Sequence, residues 1–331
     1  MTSALDYEIL DLRHYSATHL RPVLDQESLV WRERLHWDFR ASADLMLQYL
    51  DSHILPGYVT VDRSGVSGFV FCVYEESKAV IGDVFAVSRT SDEPAAEVES
   101  RLLEFLIELL QNSPGVDRIE SQLLLHPHGS HEAVFERNGF TTHPRLFMEL
   151  ELRNGGLRCA PRPGISPSPE LEMRRWRESD FAAAGRLIAS AYERHLDSRI
   201  NDQYRSVAGS LRFLHNIVRF PGCGTFDPAA SFVITGPGFE NMVAMLLCSR
   251  VRDDVGHVTQ ICVADRYRGQ GLATQMLHAC ANDLRSRGVG ELTLTVTEAN
   301  AVAVSLYRNC GFREKHSFDA MVWERAAGRP L

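Results

Sequence analysis

The stretch from Val263 to Thr274, VADRYRGQGLAT, sets the reading of the chain around it. Within it Arg268, Gly271 and Ala273 stand at R-x-x-G-x-A spacing. Upstream, His257 to Val263 reads as a strand that follows a hairpin. Downstream, Ala273, Met276, Leu277, Cys280 and Leu284 recur at the three- and four-residue intervals of a helix. A loop between a strand and a helix carries N–H groups with no intrahelical partner, and the helix dipole adds positive potential at the same place. That combination suits a pyrophosphate. Gly269 and Gly271 permit close backbone approach, and Arg268 adds a cation. A Walker A loop is excluded, since no Gly-Lys-Ser/Thr follows. A dinucleotide-binding fold is disfavoured because the strand before the loop follows a hairpin and does not open a βαβ unit. The plainer alternative is a tight turn with an exposed arginine.

Working outward, Ser231–Ile234 and Met242–Val251 flank the turn GPGFEN and read as a hairpin. After the helix, Leu292, Leu294 and Val296 alternate with Thr293, Thr295 and Thr297 at the strand period, and a last helix spans about Ala301 to Cys310. The first half repeats this plan. Each half opens with a short strand, Tyr7–Leu12 and Leu171–Trp176, and each carries a late helix closed by Gly-Phe. Gly139-Phe140 and Gly311-Phe312 lie 172 residues apart, and Val87 and Val263 lie 176 apart, which duplication with small loop changes explains. Between the copies RNGGLRCAPRPGISPSP concentrates Gly, Pro and Ser without apolar period, as a linker does. The expected layout is a first copy over 1–152, a linker over 153–169 and a second copy over 170–331, each a mixed α/β (α+β) domain.

The 331 residues suffice for two cores. Lys plus Arg is 35 against 43 for Asp plus Glu, a net charge of −8, which argues against general nucleic-acid binding. No apolar run reaches the ~20 residues of a membrane-spanning helix, and MTSALDYEILDLRHY lacks the pattern of a secretory signal. A cytoplasmic protein without a membrane partner is expected. Its seven cysteines are odd in number and never spaced C-x-x-C, so they read as buried thiols rather than disulfides or zinc ligands.

The segment NAVAVSLYRNCGF makes a resemblance specific: Asn300, Ala303, Leu306, Tyr307, Gly311 and Phe312, following the glycine loop in order, resemble the GNAT superfamily of acyl-CoA-dependent N-acetyltransferases. The likeness covers Leu171–Glu324 closely and the first half more loosely. It implies two tandem domains, each a mostly antiparallel twisted sheet flanked by helices, with acetyl-CoA as co-substrate and no metal. It further implies a thioester held between two splayed strands, contacting Ile261, Cys262, Val263, Arg268, Gly269, Gln270, Gly271, Leu272, Ala273, Thr274, Asn300 and Ala303. Tyr307 becomes the candidate acid that protonates the departing thiolate, against the plainer reading of a core tyrosine. Asn300 also suits a helix N-cap. His257, on the strand before the loop, is the candidate base, against a strand-end histidine; Gln260 can orient water but takes no proton at neutral pH. The implied acceptor is a small-molecule or peptide amine, and the chain a monomer or homodimer. A non-catalytic acyl-CoA-binding regulatory or scaffolding module is the alternative.

In the first copy the corresponding loop reads SRTSDEPAAEVES. Asp92, Glu93, Glu97 and Glu99 repel a pyrophosphate, and Phe135 and His128 stand for Tyr307 and Asn300, so a structural pseudo-domain is expected. His126, His128, His131 and Glu132 in HPHGSHE resemble a metal cluster on paper, yet solvated loop histidines are the expectation. From Tyr192 to Phe220, the region expected to wall the acceptor, Glu193, Asp197 and Asp202 alternate with Arg194, Arg199 and Arg205, a mixture that selects neither charge. Cys223 has no local base and reads as a structural thiol.

Overall fold

The computed structural model describes residues 7–88, 94–153, 155–159, 170–219, 222, 224–237 and 242–326. The first half runs β1 (Glu8–Asp11), α1 (Ala17–Leu35), α2 (Arg40–Asp51), β2 (Gly57–Asp62), β3 (Gly65–Glu75), β4 (Lys78–Ala86), α3 (Ala95–Asn112), β5 (Arg118–Gln122), α4 (Glu132–Arg137) and β6 (Thr141–Glu151). The second runs β7 (Glu172–Arg175), α5 (Phe181–Tyr192), α6 (Asp197–Ile200), α7 (Val207–Arg219), β8 (Thr225–Phe226), β9 (Phe232–Thr235), β10 (Met242–Arg252), β11 (Val255–Val263), α8 (Leu272–Ser286), β12 (Glu291–Thr297), α9 (Ala301–Cys310) and β13 (Arg313–Glu324). Apart from the short α6 and β8, the two orders match element for element.

The chain forms two compact units, and each half gives most of its last strand to the other. The N-terminal unit holds the chain to Leu35, Phe39–Pro144 and everything from Phe318; the C-terminal unit holds His36–Asp38 and Arg145–Ser317. The N-terminal sheet has the order β1-β2-β3-β4-β5-β13 and the C-terminal sheet β6-β12-β11-β10-β9-β7. In each sheet one pairing is parallel, β4 with β5 and β11 with β12, and the rest are antiparallel. This is the mixed, mostly antiparallel architecture expected from the sequence.

Helical period builds each core. On α3, Leu102, Leu103, Leu106, Ile107 and Leu110 are buried against apolar residues of β3 and β4; on α8, Met276, Leu277, Cys280 and Leu284 do the same against β10 and β12. Each such large side chain contributes about 1.5 to 3 kcal/mol over its exposed state. β10 is buried at eight consecutive positions, Met242–Ser249, because helices cover both faces of a central strand. For the same reason Thr293 and Thr297 of β12 are buried together with the alternating Leu and Val, and Thr293 donates its hydroxyl to Gly256 O at 3.1 Å.

The expectation that no cysteine is bridged is corrected at one pair. Cys159 and Cys310 form a disulfide, with Cα atoms 4.4 Å apart and a sequence separation of 151. Motif spacing reports neighbours in the chain, and this pair meets only because the segment after β6 folds back on α9, where Arg158 N donates to Cys310 O at 3.0 Å. Cys72, Cys248, Cys262 and Cys280 are buried free thiols. Cys223 lies outside the described residues, as do most of the linker and part of the GPGFEN turn. Among the described residues no helix is long and apolar enough to cross a membrane.

Candidate active site

In the C-terminal unit β11 pairs with β12 only where Val255–Val258 face Glu291–Leu294. Beyond that point β11 stays on β10 as far as Val263, while β12 stays on β6 as far as Thr297, so the two parallel strands fork. A register shift opposite Leu247/Cys248 accompanies the fork, as a bulge that bends a strand does. Ile261, Cys262 and Val263 therefore line one prong. Ile261 and Val263 pack towards the α8 side and Cys262 towards the α5 side, where burial pushes its thiol up to about 12.

The glycine loop continues from that prong. After a single turn over Asp265–Tyr267, Gly269 has φ 75° and Gly271 φ 78°, and α8 starts at Leu272 with Gly271 as its N-cap. A Cβ at either glycine meets nothing within 4 Å, so it is the sign of φ that demands glycine, and the space beside the loop is open. The first hydrogen bond into the helix is Gln275 N to Gly271 O at 3.0 Å, leaving the amides from Gly269 to Thr274 without an acceptor among the described residues. Arg268 has other work in the protein alone: Nε donates to Val263 O at 3.2 Å, a terminal nitrogen donates to Ala191 O at 2.8 Å, and the same nitrogen pairs with Asp265. It ties the loop to β11 and α5. Gln270 reaches back to Arg266 O at 3.3 Å.

On the far prong, Asn300 caps α9, its Oδ1 accepting from Ala303 N at 3.2 Å while Nδ2 lies 3.3 Å from His195 Nε2. Asp197 accepts from Thr297 Oγ1 at 2.6 Å, and its Oδ2 lies 3.6 Å from His195 Nδ1. Tyr307 is 5% exposed, and burial, with the nearby Asp197 carboxylate, raises its phenol above the usual value. Tyr192 from α5 donates at 3.4 Å to Gln260 Oε1; burial raises its phenol, with smaller contributions from Tyr204, Cys262, Asp197 and Tyr307. Those groups share one neighbourhood. Sequence reasoning saw Asp197 only as one charge in a mixed run and passed over His195, because their meeting with Asn300 and Thr297 spans about 100 residues of chain.

His257 is not brought to this neighbourhood. It sits before the fork with Trp37 4.9 Å and Phe147 6.0 Å away between ring centres, and burial, helped by Arg145, pushes its imidazole down to about 3. Its Nδ1 lies 2.8 Å from Thr293 Oγ1, a bond that satisfies a core histidine.

The N-terminal unit repeats the fork. β4 pairs with β5 over Lys78–Ile81 and Arg118–Ser121 and then leaves it. Phe135 holds the place of Tyr307, fully buried: Phe140 N donates to Phe135 O at 3.0 Å as Phe312 N does to Tyr307 O, and the paired rings lie 5.0 and 5.8 Å apart. A cavity of about 420 Å³ opens here, lined among others by Val30, Arg34, Phe85, Val87 and Glu99. Asp92 and Glu93 lie outside the described residues, while Glu97 is in the first turn of α3. The expectation of solvated histidines is corrected for His126 and His131, which are buried; His128 remains half exposed and contacts Asp319.

Comparison with known proteins agrees with this geometry. Residues 190–312 match the Acetyltransferase (GNAT) family. A ribosomal protein bS18-alanine N-acetyltransferase of Haemophilus ducreyi is 31% identical over 75 residues, 23% of this chain and 51% of that protein. The chain spans a third to about half of the length of the curated relatives it matches. Among solved structures, a GCN5-related N-acetyltransferase from Sphaerobacter thermophilus superposes with a TM-score of 0.66 at 16% identity, covering 100% of this chain and 99% of that one. A tandem GNAT protein from the clavulanic acid biosynthesis pathway gives 0.58 at 12% identity over 98% and 100%. With the forked sheet, the glycine-opened helix and the α9 pattern in one half of the chain, these matches show that residues 190–312 carry the sequence pattern of the Acetyltransferase (GNAT) family and that the chain shares the fold of the GCN5-related N-acetyltransferases it superposes on.

Proposed function

We propose that the C-terminal half of each chain transfers an acetyl group from acetyl-CoA to a primary amine, the two substrates being bound together. The observation that carries this is the row of amides from Gly269 to Thr274, without acceptors at the start of α8 and beside the open prong of β11. A pyrophosphate takes such donors and gains from the helix dipole. The thioester then lies along Ile261–Val263, toward Asn300, Ala303 and Tyr307. The amine attacks the thioester carbon, the carbon–sulfur bond breaks, and the thiolate leaves with the Tyr307 proton.

The ammonium so formed must lose a proton. His257, with its imidazole pushed down to about 3 and packed among aromatic rings, is a poor acceptor for it. His195, beside Asp197 and Asn300, takes this role in our reading. The acceptor faces Tyr192, His195 and Tyr204, the last two with ring centres 5.0 and 4.5 Å from that of Tyr192. Thiol release from acetyl-CoA, measured against a panel of small-molecule and N-terminal peptide amines, tests the assignment. Binding of coenzyme A at one site per chain without release for any amine would make the chain a binding module instead. In the same assay His195→Gln should lower kcat/KM about 10²-fold and His257→Gln should leave it near wild type.

A further inference from the structure

We propose that Glu99, His126 and His131 of the N-terminal unit form a binding site for a divalent transition metal of the zinc type, with one coordination position left open. The three residues come from α3, from the segment after β5 and from the residue before α4. His126 Nδ1 and His131 Nε2 are 3.3 Å apart, and Glu99 Oε2 lies 3.4 Å from His131 Nε2 and 3.6 Å from His126 Nδ1. Ligands at about 2.0 to 2.1 Å in a tetrahedral site stand roughly 3.3 to 3.4 Å from one another. Two sides of the triangle have that length, and the third, at 3.6 Å, is slightly longer.

The outer hydrogen bonds decide which atoms face inward. His126 Nε2 is 2.8 Å from Val84 O, which only accepts, so Nε2 carries the proton and Nδ1 presents its lone pair. Ser100 gives its hydroxyl proton to Ala96 O at 2.7 Å, so its oxygen accepts from His131 Nδ1 at 3.3 Å and leaves His131 Nε2 bare. Glu99 Oε1 accepts from Ala86 N at 3.1 Å, which leaves Oε2 for the centre. Two nitrogen lone pairs and a carboxylate oxygen thus converge with no donor between them. Metal-ligating histidines are held by such outer partners on their other nitrogen. The side chains of His131, His126 and Glu99 are only 2%, 10% and 8% exposed, so the three acceptors face one another largely out of solvent.

Two further features fit a cation. Glu27 and Asp83 are buried within electrostatic reach of Glu99 and share a side-chain hydrogen bond, each pushed up chiefly by burial, Asp83 to about 6. The cavity of about 420 Å³ is lined by both Glu99 and His126, giving an entry route and room for water or a small ligand at the open position. In the C-terminal unit the comparable group of His36, Glu149 and Glu291 already has its cation, since Lys315 Nζ lies 2.9 Å from His36 Nδ1 and 2.5 Å from Glu149. The carboxylate HPHGSHE offers, Glu132, is not part of the set.

The test uses the full chain, stripped with a chelator and titrated separately with Zn²⁺ and Co²⁺. We expect one equivalent of Zn²⁺ per chain and, with Co²⁺, the intense visible absorption of a four-coordinate site. Glu99→Gln should weaken Zn²⁺ at least 10-fold, and the His126→Gln, His131→Gln double variant should remove the site. His128→Gln should leave it unchanged. No stoichiometric metal in the wild type, or unaltered affinity in the folded double variant, overturns the proposal. Should the variants not fold, X-ray absorption of the wild-type zinc form decides: two imidazoles and a carboxylate support it, and any other protein ligand set overturns it. None of these outcomes depends on acetyl transfer.

Discussion

The two forks of this molecule share one backbone plan and differ in what fills them. At the C-terminal fork the prong leads into two glycines at positive φ and a row of amides without acceptors, and Tyr307 is buried on α9, the helix that follows the other prong. At the N-terminal fork His126 donates to Val84 O, so a side chain spans the gap between the β4 prong and the segment after β5. Glu99, where α3 begins its second turn, is tied to Ala86 N. A row of amides without acceptors at a helix start suits a phosphate; buried carboxylates and imidazoles suit a cation. The same fold therefore presents different groups at its two forks, and a shared architecture does not imply a shared ligand.

The comparison breaks most visibly at Gly271. Gly271→Asp places a carboxylate and a Cβ where φ is 78°, so coenzyme A binding should fall below detection in a calorimetric titration while the fold survives. Retained affinity would show that the loop does not hold the pyrophosphate. Next comes Tyr307→Phe, which makes the C-terminal half resemble its counterpart. We expect kcat to fall roughly 10²- to 10⁴-fold with the affinity for acetyl-CoA unchanged. A wild-type rate with an intact melting curve would make Tyr307 a core residue only.

The reverse exchange sharpens the comparison without touching chemistry. Phe135→Tyr puts a hydroxyl into a fully buried site, so it should lower stability by about 1 to 3 kcal/mol and create no second coenzyme A site. Denaturant unfolding and the binding stoichiometry check both halves of that statement. The smallest effect is expected at His257. An unfolded chain protonates this imidazole below about 6.5, the folded one only near 3, so stability is lost as pH falls through that window. His257→Gln should flatten that part of the pH–stability curve and leave the pH–rate profile in place. A shifted rate profile would return His257 to the role of base.

The sequence by itself determined the elements and the glycine loop, since these depend on local periods and on residues adjacent in the chain. α8, β12 and α9 fall where the apolar spacing places them, and Asn300 caps its helix as its side chain predisposes it to. Tertiary structure alone decided what depends on distance along the chain. An alternating strand pairs equally well with either sheet, so nothing in β6 or β13 announces that they are exchanged between units. The Cys159–Cys310 bridge and the approach of His195 and Asp197 to the end of β12 arise from segments about 100 or more residues apart. The histidines of HPHGSHE read as exposed because Pro, Gly and Ser surround them. Two of the three are buried because β4 and α3 fold over them, and the carboxylate that completes their triangle, Glu99, comes from a helix with which they share no motif.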